Sequence, residues 1–252
     1  MRNLIALAAI MATLSTPSVR AEEPAPGKQV EQELKTGEKT IRYLLYLPND
    51  YATNDGKRPL LLFLHGRGES DGPLSLVKKW GPPSLIERGE SFHYVVISPQ
   101  CPRSPVSWAN ADQQSLLLAL LGHIIQTCKV DPDRIYLTGL SMGGYGSWRL
   151  AADHPERFAA VVPICGGGKP EDAPKLKSLP IWVWHGAADT TVPLKRSAEM
   201  VEAIKQAGGN NIQFTTLEGI GHNSWEAAYA SPDLYRWLDK QSASKNRERA
   251  AE

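Results

Sequence analysis

The sequence predicts an α/β fold in which a mostly parallel, doubly wound sheet is flanked by helices. Short apolar runs, typical of strands buried on both faces, alternate along the 252-residue chain with longer segments of helical periodicity. Such alternation is the pattern of right-handed β-α-β units. In addition, a glycine-rich turn around Ser141 joins one apolar run directly to one helical segment.

The predicted elements can be placed in order along the chain. Strands are expected at residues 41–47, 60–64, 94–99, 135–137, 158–164, 181–184 and 212–217, the first as an antiparallel edge strand. Helices are expected at residues 113–129, 145–153, 194–207 and 232–240, and a turn at 131–134. Segment 165–180 is too short and too rich in Gly, Pro and Lys for a large cap domain, so an open site is predicted.

The first 21 residues have the pattern of a secretory signal peptide. Arg2 precedes an apolar run at residues 4–14, and small residues lead to an expected cleavage after Ala21. A spanning helix needs about 20 apolar residues, so we expect an exported protein, secreted or periplasmic, without stable membrane insertion after cleavage. Residues 22–33 are predicted to be flexible, 34–241 to form one domain, and 242–252 to be a frayed tail.

Charge and cysteine content narrow the class of protein. Lysine and arginine number 28 against 27 aspartate and glutamate residues, which argues against a nucleic-acid or anionic-membrane partner. Cys101, Cys128 and Cys165 lie in or beside apolar runs; export permits a disulfide, but buried free thiols are the favoured interpretation. Since metal-binding histidine motifs and Cys-x-x-Cys pairs are lacking, we predict neither a metal nor a cofactor.

The turn around Ser141 reads Gly139-Leu140-Ser141-Met142-Gly143 and has the pattern of a nucleophile elbow. A strand is predicted before it and a helix after it, and the glycines would allow the backbone to crowd a strained serine. The start of the helix would place the Met142 amide where an oxyanion forms. The alternative is an ordinary glycine-rich turn, which the strand and helix on either side disfavour.

A serine nucleophile needs a base within hydrogen-bonding distance, and the base needs an orienting carboxylate. Asp189 and His222 each follow a predicted strand, and the chain order Ser141, Asp189, His222 is that of α/β-hydrolases. The other five histidines are assigned structural positions in helical or apolar surroundings, at a helix end or before a glycine, where turn-supporting hydrogen bonds are expected: His93, His123, His154, His65 and His185.

Three further residues are predicted to border the site. The loop after residues 60–64 exposes backbone amides, and the Arg67 amide is chosen as the second oxyanion donor beside Met142. Trp108, in a proline-rich loop, and Trp225, three residues after His222, are candidate walls of the cleft. Ser224 would cap a helix starting at Trp225, and the alternative for Trp225 is simple packing of the His222 loop.

With these motifs the sequence resembles α/β-hydrolases of the carboxylesterase, dienelactone-hydrolase-like and feruloyl-esterase group. The resemblance rests on HGRGE at 65–69, GLSMGG at 139–144, HGAAD at 185–189 and GHNSW at 221–225. It implies a triad of Ser141, Asp189 and His222, and an oxyanion hole formed by Arg67 and Met142. Dienelactone hydrolases proper carry cysteine in place of the serine, so their substrate is not expected here.

The function expected from this resemblance is a serine esterase that works through an acyl-enzyme. Its substrate would be a small-molecule or oligosaccharide ester, such as the feruloyl and acetyl esters of plant polysaccharides. Two alternatives remain open, a serine peptidase of the prolyl-peptidase type and a non-catalytic binding protein that retains the fold.

Overall fold

Eight strands form one sheet whose spatial order differs from their order in the chain. The computed structural model describes residues 24–251. The strands are β1 Gln29–Thr36, β2 Lys39–Tyr46, β3 Arg58–Leu64, β4 Val95–Pro99, β5 Val130–Leu140, β6 Ala160–Ile164, β7 Ile181–Gly186 and β8 Ile212–Leu217. They are arranged β1-β2-β4-β3-β5-β6-β7-β8. Strand β2 is antiparallel to β1 and β4, and all other pairs are parallel, which confirms the predicted fold class.

Helices cover both faces of this sheet. They are α1 Gly81–Glu87, α2 Ala111–Thr127, α3 Met142–Asp153, α4 Ala173–Leu176, α5 Lys195–Gln206, α6 Trp225–Ala230, α7 Pro232–Leu238 and α8 Ala243–Ala251. Residues of α2, α3, α4 and α5 share one buried cluster, whereas residues of α1, α6 and α7 share the other. The molecule therefore has three layers, with the sheet in the middle.

Strand β3 shows why the two clusters form. Leu60, Leu62 and Leu64 belong to one cluster, whereas Leu61 and Phe63 belong to the other. Successive side chains of a strand point to opposite faces, so an uninterrupted apolar run fits only where both faces are covered. All five side chains are essentially inaccessible to solvent, and each contributes about 1.5–3 kcal/mol through burial.

The antiparallel end of the sheet differs from the prediction. Strand β2 was expected at the edge, but β1 pairs with it along its whole length, from Gln29 opposite Tyr46 to Thr36 opposite Lys39. Strand β1 also begins inside the segment 22–33 that was expected to be flexible. Among the residues of β1 only Val30 is fully buried. Because the other residues are mostly polar, the sequence does not show the apolar pattern from which a strand is predicted. The predicted signal peptide lies outside the described residues.

The turn predicted at 131–134 is instead an irregularity within β5. Arg58 pairs with Val130, and Leu60 already pairs with Ile135, so the intervening β5 residues bulge out of the ladder. Strand β5 is therefore continuous from Val130 to Leu140, although the residues predicted to form a turn lie outside the ladder. Turn-forming residues are typical of such a bulge.

The C-terminal segment 242–252, expected to be frayed, contains helix α8. Asp133 in the β5 bulge accepts hydrogen bonds from the Ser244 amide, at 2.6 Å, and from the Ser244 hydroxyl, at 2.7 Å. The Asn246 side chain donates to the carbonyls of Phe158 and Ala159. These polar contacts join residues far apart in sequence, which local composition does not reveal.

The connection between β6 and β7 contains only a 3-10 turn at Pro170–Asp172 and the four-residue helix α4. The absence of a large cap domain is therefore confirmed for the described part of the chain. Within residues 24–251 all three cysteines are unpaired; Cys101 and Cys165 are buried and Cys128 is half-buried. In the same range, none of the helices has the length and apolar character needed to cross a bilayer.

Candidate active site

Ser141 occupies a strained turn between β5 and α3. Its φ of 52° and ψ of −114° lie outside the regions that a non-glycine residue adopts without cost, and such a conformation costs about 1–3 kcal/mol. The Ser141 amide donates to the Ile164 carbonyl at 2.9 Å, and its carbonyl accepts from the Tyr145 amide at 3.0 Å. These bonds hold the serine at the end of the sheet that faces the site loops.

The glycines of the turn allow this close approach of backbone segments. A Cβ atom on Gly143 would lie 1.9 Å from the Leu64 carbonyl oxygen, and one on Gly139 would lie 2.4 Å from the Gly143 carbonyl oxygen. Neither position can therefore hold a side chain unless the start of α3 moves away from the ends of β3 and β5. The predicted reason for the glycines is thus seen directly as backbone contact.

His222 and Asp189 lie next to Ser141 in a continuous hydrogen-bonded chain. The distance from His222 Nε2 to Ser141 Oγ is 2.9 Å, and from His222 Nδ1 to Asp189 Oδ2 it is 2.7 Å. Asp189 follows β7 and His222 follows β8, so neighbouring parallel strands deliver both side chains to the same edge of the sheet. The three residues chosen from sequence are therefore brought together in the order that proton transfer requires.

Asp189 is buried, with no exposed side-chain surface. Its Oδ1 accepts the amides of Thr191 and Val192, each at 2.9 Å. Burial by itself raises the pKa of Asp189, but the hydrogen bonds from His222 and from these two amides outweigh it and hold that pKa below its ordinary value. The carboxylate is thus ionised and fixed in orientation.

His185 is hydrogen-bonded to the loop that carries Asp189. It is fully buried, and its Nε2–H donates to the Val192 carbonyl at 2.9 Å, while its Nδ1 lies 2.8 Å from Ser197 Oγ. The prediction of turn-supporting hydrogen bonds is confirmed for this residue. Its Nε2 is also 3.3 Å from Asp189 Oδ2, so the same carboxylate oxygen contacts two imidazoles, those of His185 and His222. Sequence reasoning missed this second contact.

His65 has the corresponding role in the loop after β3. Its Nδ1–H donates to the Gly66 carbonyl, and its Nε2 accepts the Cys101 amide at 3.0 Å, which confirms the predicted structural role. Burial lowers the pKa of His65 to about 4, so the ring is neutral near pH 7. Trp108 donates its indole N–H to the His65 carbonyl at 3.0 Å.

The assignment of Trp108 to the cleft wall is wrong. Its side chain is 0% exposed and packs edge-on against the His65 ring, with the centroids 5.1 Å apart. A proline-rich loop suggested exposure, but the indole N–H finds a backbone acceptor and the ring fills the space beside Gly146. Trp108 therefore holds the His65 loop in place and cannot contact a substrate.

The two backbone amides chosen as oxyanion donors have no hydrogen-bond acceptor in the described part of the chain. Arg67 begins a 3-10 turn at Arg67–Glu69 and Met142 begins α3, and in residues 24–251 neither backbone N–H donates to another group. Gly66 lies against the elbow, because a Cβ there would come within 2.8 Å of Leu140 Cδ1. The loop with Arg67 is therefore adjacent to the serine, and its role remains a prediction.

Glu69 is a site residue that sequence reasoning missed. Its side chain is almost fully buried and packs against the loop that carries Arg67, because Glu69 Oε2 would lie 3.1 Å from a Cβ atom on Gly66. Burial raises the pKa of Glu69, and nearby Lys79 opposes this shift. The sequence indicates no separate role for the last residue of HGRGE, and only the folded structure reveals this contact.

Trp225 is half-buried beside the candidate base. Its ring meets the His222 imidazole edge-on, with centroids 5.3 Å apart and an interplanar angle of 88°, and contacts Trp80 at 5.7 Å. Helix α6 starts at Trp225 with Ser224 at the N-cap position, as predicted, but the buried Ser224 hydroxyl makes no capping hydrogen bond. A cavity of about 360 Å³ opens between α1 and α6 beside Trp225.

An eight-stranded sheet in this order, with a strained serine after β5, a carboxylate after β7 and a histidine after β8, defines an α/β-hydrolase. Residues 35–226 match the family described as "Putative esterase". Since the match spans most of the chain, the chain belongs to this esterase family.

The chain is also similar to individual proteins that are described as esterases. The chain is 27% identical to "Putative esterase NocK" of Nocardia uniformis subsp. tsuyamanensis, over 71% of this chain and 60% of that protein. It is 26% identical to "Probable feruloyl esterase C" of Aspergillus niger, over 73% and 68%. The solved structure of a thermostable esterase superposes with a TM-score of 0.75 at 31% identity, covering 85% of this chain and 63% of that one. The chain thus spans less than two thirds of NocK and of the thermostable esterase.

We expect His65 to make stability depend on pH. Its pKa is 6.5 ordinarily and about 4 in the folded chain, so between these values the unfolded chain binds more protons. The free energy of unfolding should therefore fall as pH is lowered through this window, by about 2–4 kcal/mol from this residue. Urea unfolding at about pH 7 and pH 4.5 should show a smaller loss for His65→Gln, which cannot titrate. Parallel losses in both proteins would exclude His65 as the cause.

Proposed function

We propose that the protein is a serine carboxylesterase in which Ser141, His222 and Asp189 are the catalytic residues. The observation that carries the proposal is the hydrogen-bonded chain from Ser141 Oγ through His222 to Asp189, with distances of 2.9 and 2.7 Å. Membership of an esterase family supports ester hydrolysis over the peptidase and binding-protein alternatives.

The proposed reaction follows from these contacts. Ser141 Oγ attacks the ester carbonyl while its proton passes to His222 Nε2, and Asp189 stabilises the imidazolium that forms. The amides of Arg67 and Met142 donate to the oxyanion. Collapse of the tetrahedral intermediate expels the alcohol, which takes the proton from His222. Water activated by the same histidine then releases the acid and restores the serine.

Replacement of the nucleophile tests this proposal. Ser141→Ala should lower kcat for p-nitrophenyl acetate by at least about 10³-fold and abolish labelling by a fluorophosphonate, because it removes the hydroxyl that forms the acyl-enzyme. The matched control is Ser115→Ala, which removes an exposed helical hydroxyl bonded only to the Ala111 carbonyl. An aminoacyl-proline amide assayed beside the ester separates peptidase from esterase activity. Turnover by Ser141→Ala close to that of the control would refute the assignment.

We also propose that the enzyme is exported. The support is the charged start, apolar run and small residues in the first 21 positions of the sequence. N-terminal sequencing of the protein expressed with residues 1–21 should find Glu22 as the first residue of the exported form. An uncleaved Met1 terminus would contradict cleavage by a signal peptidase.

For the substrate we propose feruloyl or acetyl esters of plant polysaccharides. The similarity to a feruloyl esterase supports this class, and Trp225 offers an aromatic surface directly beside the candidate base. A flat aromatic acyl group can stack on such a surface, whereas an acetyl group is too small to gain from it.

Trp225→Ala should therefore raise KM for a feruloyl ester by about three- to tenfold, the equivalent of about 0.5–1.5 kcal/mol of aromatic contact. The KM for an acetyl ester should change little. Trp225→Phe keeps a ring at the position and should recover most of the loss. Equal losses on both esters with a lower melting temperature would show that Trp225 only packs the His222 loop.

A further inference from the structure

Cys165 lies within the candidate active site, although the proposed reaction does not use it. Its Sγ, a carboxylate oxygen of Asp189 and a ring nitrogen of His222 all lie within 4.8 Å of one another. Cys165 directly follows β6, with a φ of 39°, and its amide donates to the Trp184 carbonyl at 2.9 Å. The backbone thus fixes the thiol next to the two partners of the serine.

A second observation concerns Ser224. This residue is fully buried, and its hydroxyl has no oxygen or nitrogen partner; the group beside it is the Cys165 thiol, which is only a weak hydrogen-bonding group. A buried hydroxyl without a partner costs about 1–3 kcal/mol, so native structures seldom retain one without a reason. Here the free oxygen adjoins a group of sulfur, nitrogen and oxygen atoms.

We propose that these residues form an inhibitory binding site for a thiophilic divalent cation such as Zn²⁺ or Cd²⁺. Cys165 Sγ, a His222 ring nitrogen and an Asp189 oxygen would be the ligands, with the Ser224 hydroxyl available as a further oxygen. Thiolate, imidazole and carboxylate are the ligands that these ions prefer. The site is distinct from a cofactor site, because the proposed ester hydrolysis needs no metal.

Binding of the cation forms bonds from the protein ligands to the metal and releases protons from those ligands. The thiol of Cys165 releases its proton to solvent as the sulfur–metal bond forms, and if Nδ1 of His222 is the ligand, the proton shared with Asp189 is released as well. No group is oxidised or reduced. The cation should enter from the cleft, because the His222 side chain is 21% exposed whereas that of Asp189 has no exposed surface.

The consequence for catalysis follows directly. A His222 ring held by a metal cannot move between its proton donors and acceptors, so Ser141 loses its base. Inhibition therefore rests on the proposed function, but cation binding does not. The two can be measured separately.

Binding is tested with Cd²⁺, whose bond to a thiolate gives an ultraviolet charge-transfer absorption. Wild-type protein, freed of metals by a chelator, should show this absorption at one equivalent of Cd²⁺. Cys165→Ala and Cys165→Ser should lose it, and Cys128→Ala, which removes the more accessible thiol, should retain it. His222→Ala should weaken the affinity beyond the about tenfold loss typical of removing an outer-shell partner. Circular dichroism verifies that each variant is folded.

Inhibition is tested with Zn²⁺ in the ester assay, each variant being compared with its own rate without metal. The inhibition constant should rise at least about tenfold in Cys165→Ser and stay unchanged in Cys128→Ala. The proposal is overturned if the Cd²⁺ signal is absent from the wild type, persists without Cys165, or disappears with Cys128. Cd²⁺ bound at Cys165 without loss of ester hydrolysis would overturn it too. If the wild type hydrolyses no ester, the proposed function fails, and the Cd²⁺ titration alone decides the metal site.

Discussion

The candidate site depends on the contact between the end of β3 and the start of α3. Gly143 approaches the Leu64 carbonyl so closely that any Cβ would collide with it. This contact fixes the strained Ser141 on one side. On the other side, Leu64 leads directly into the loop with Arg67, so the same contact sets the distance between the proposed nucleophile and its proposed oxyanion donor. Preorganisation here is a property of backbone packing and does not require a flexible side chain to find its place.

The electrostatics of the site are arranged around the buried Asp189 carboxylate. An ionised carboxylate without exposed surface must be compensated by hydrogen-bond donors. Two amides supply part of this compensation at Oδ1, and His185 Nε2 lies 3.3 Å from Oδ2, the oxygen that also contacts His222. The carboxylate therefore keeps most of its partners when His222 moves. This arrangement allows the histidine to reorient during a reaction without leaving a bare buried charge.

Most of the fold could be predicted from sequence because local patterns determine it. Ser141, Asp189 and His222 were each placed by a glycine-containing turn after a strand, and parallel strands end at one edge of the sheet. The errors concern features that arise from distant contacts. Trp108 is buried in the core, where its indole N–H donates to a carbonyl 43 positions away in sequence. Likewise, Cys165 was judged an ordinary core thiol, because no local pattern places it beside His222.

Helix α8 has a consequence for the order in which the chain assembles. It follows all eight strands in sequence, yet its start is bonded to Asp133 in the bulge of β5, 111 positions earlier. During synthesis this bulge must therefore remain without those partners until the whole sheet has been made. Contacts of such long sequence separation slow folding, since a large loop must close before they stabilise anything. Helix α8 therefore forms its contacts with β5, the strand that leads to Ser141, late in folding.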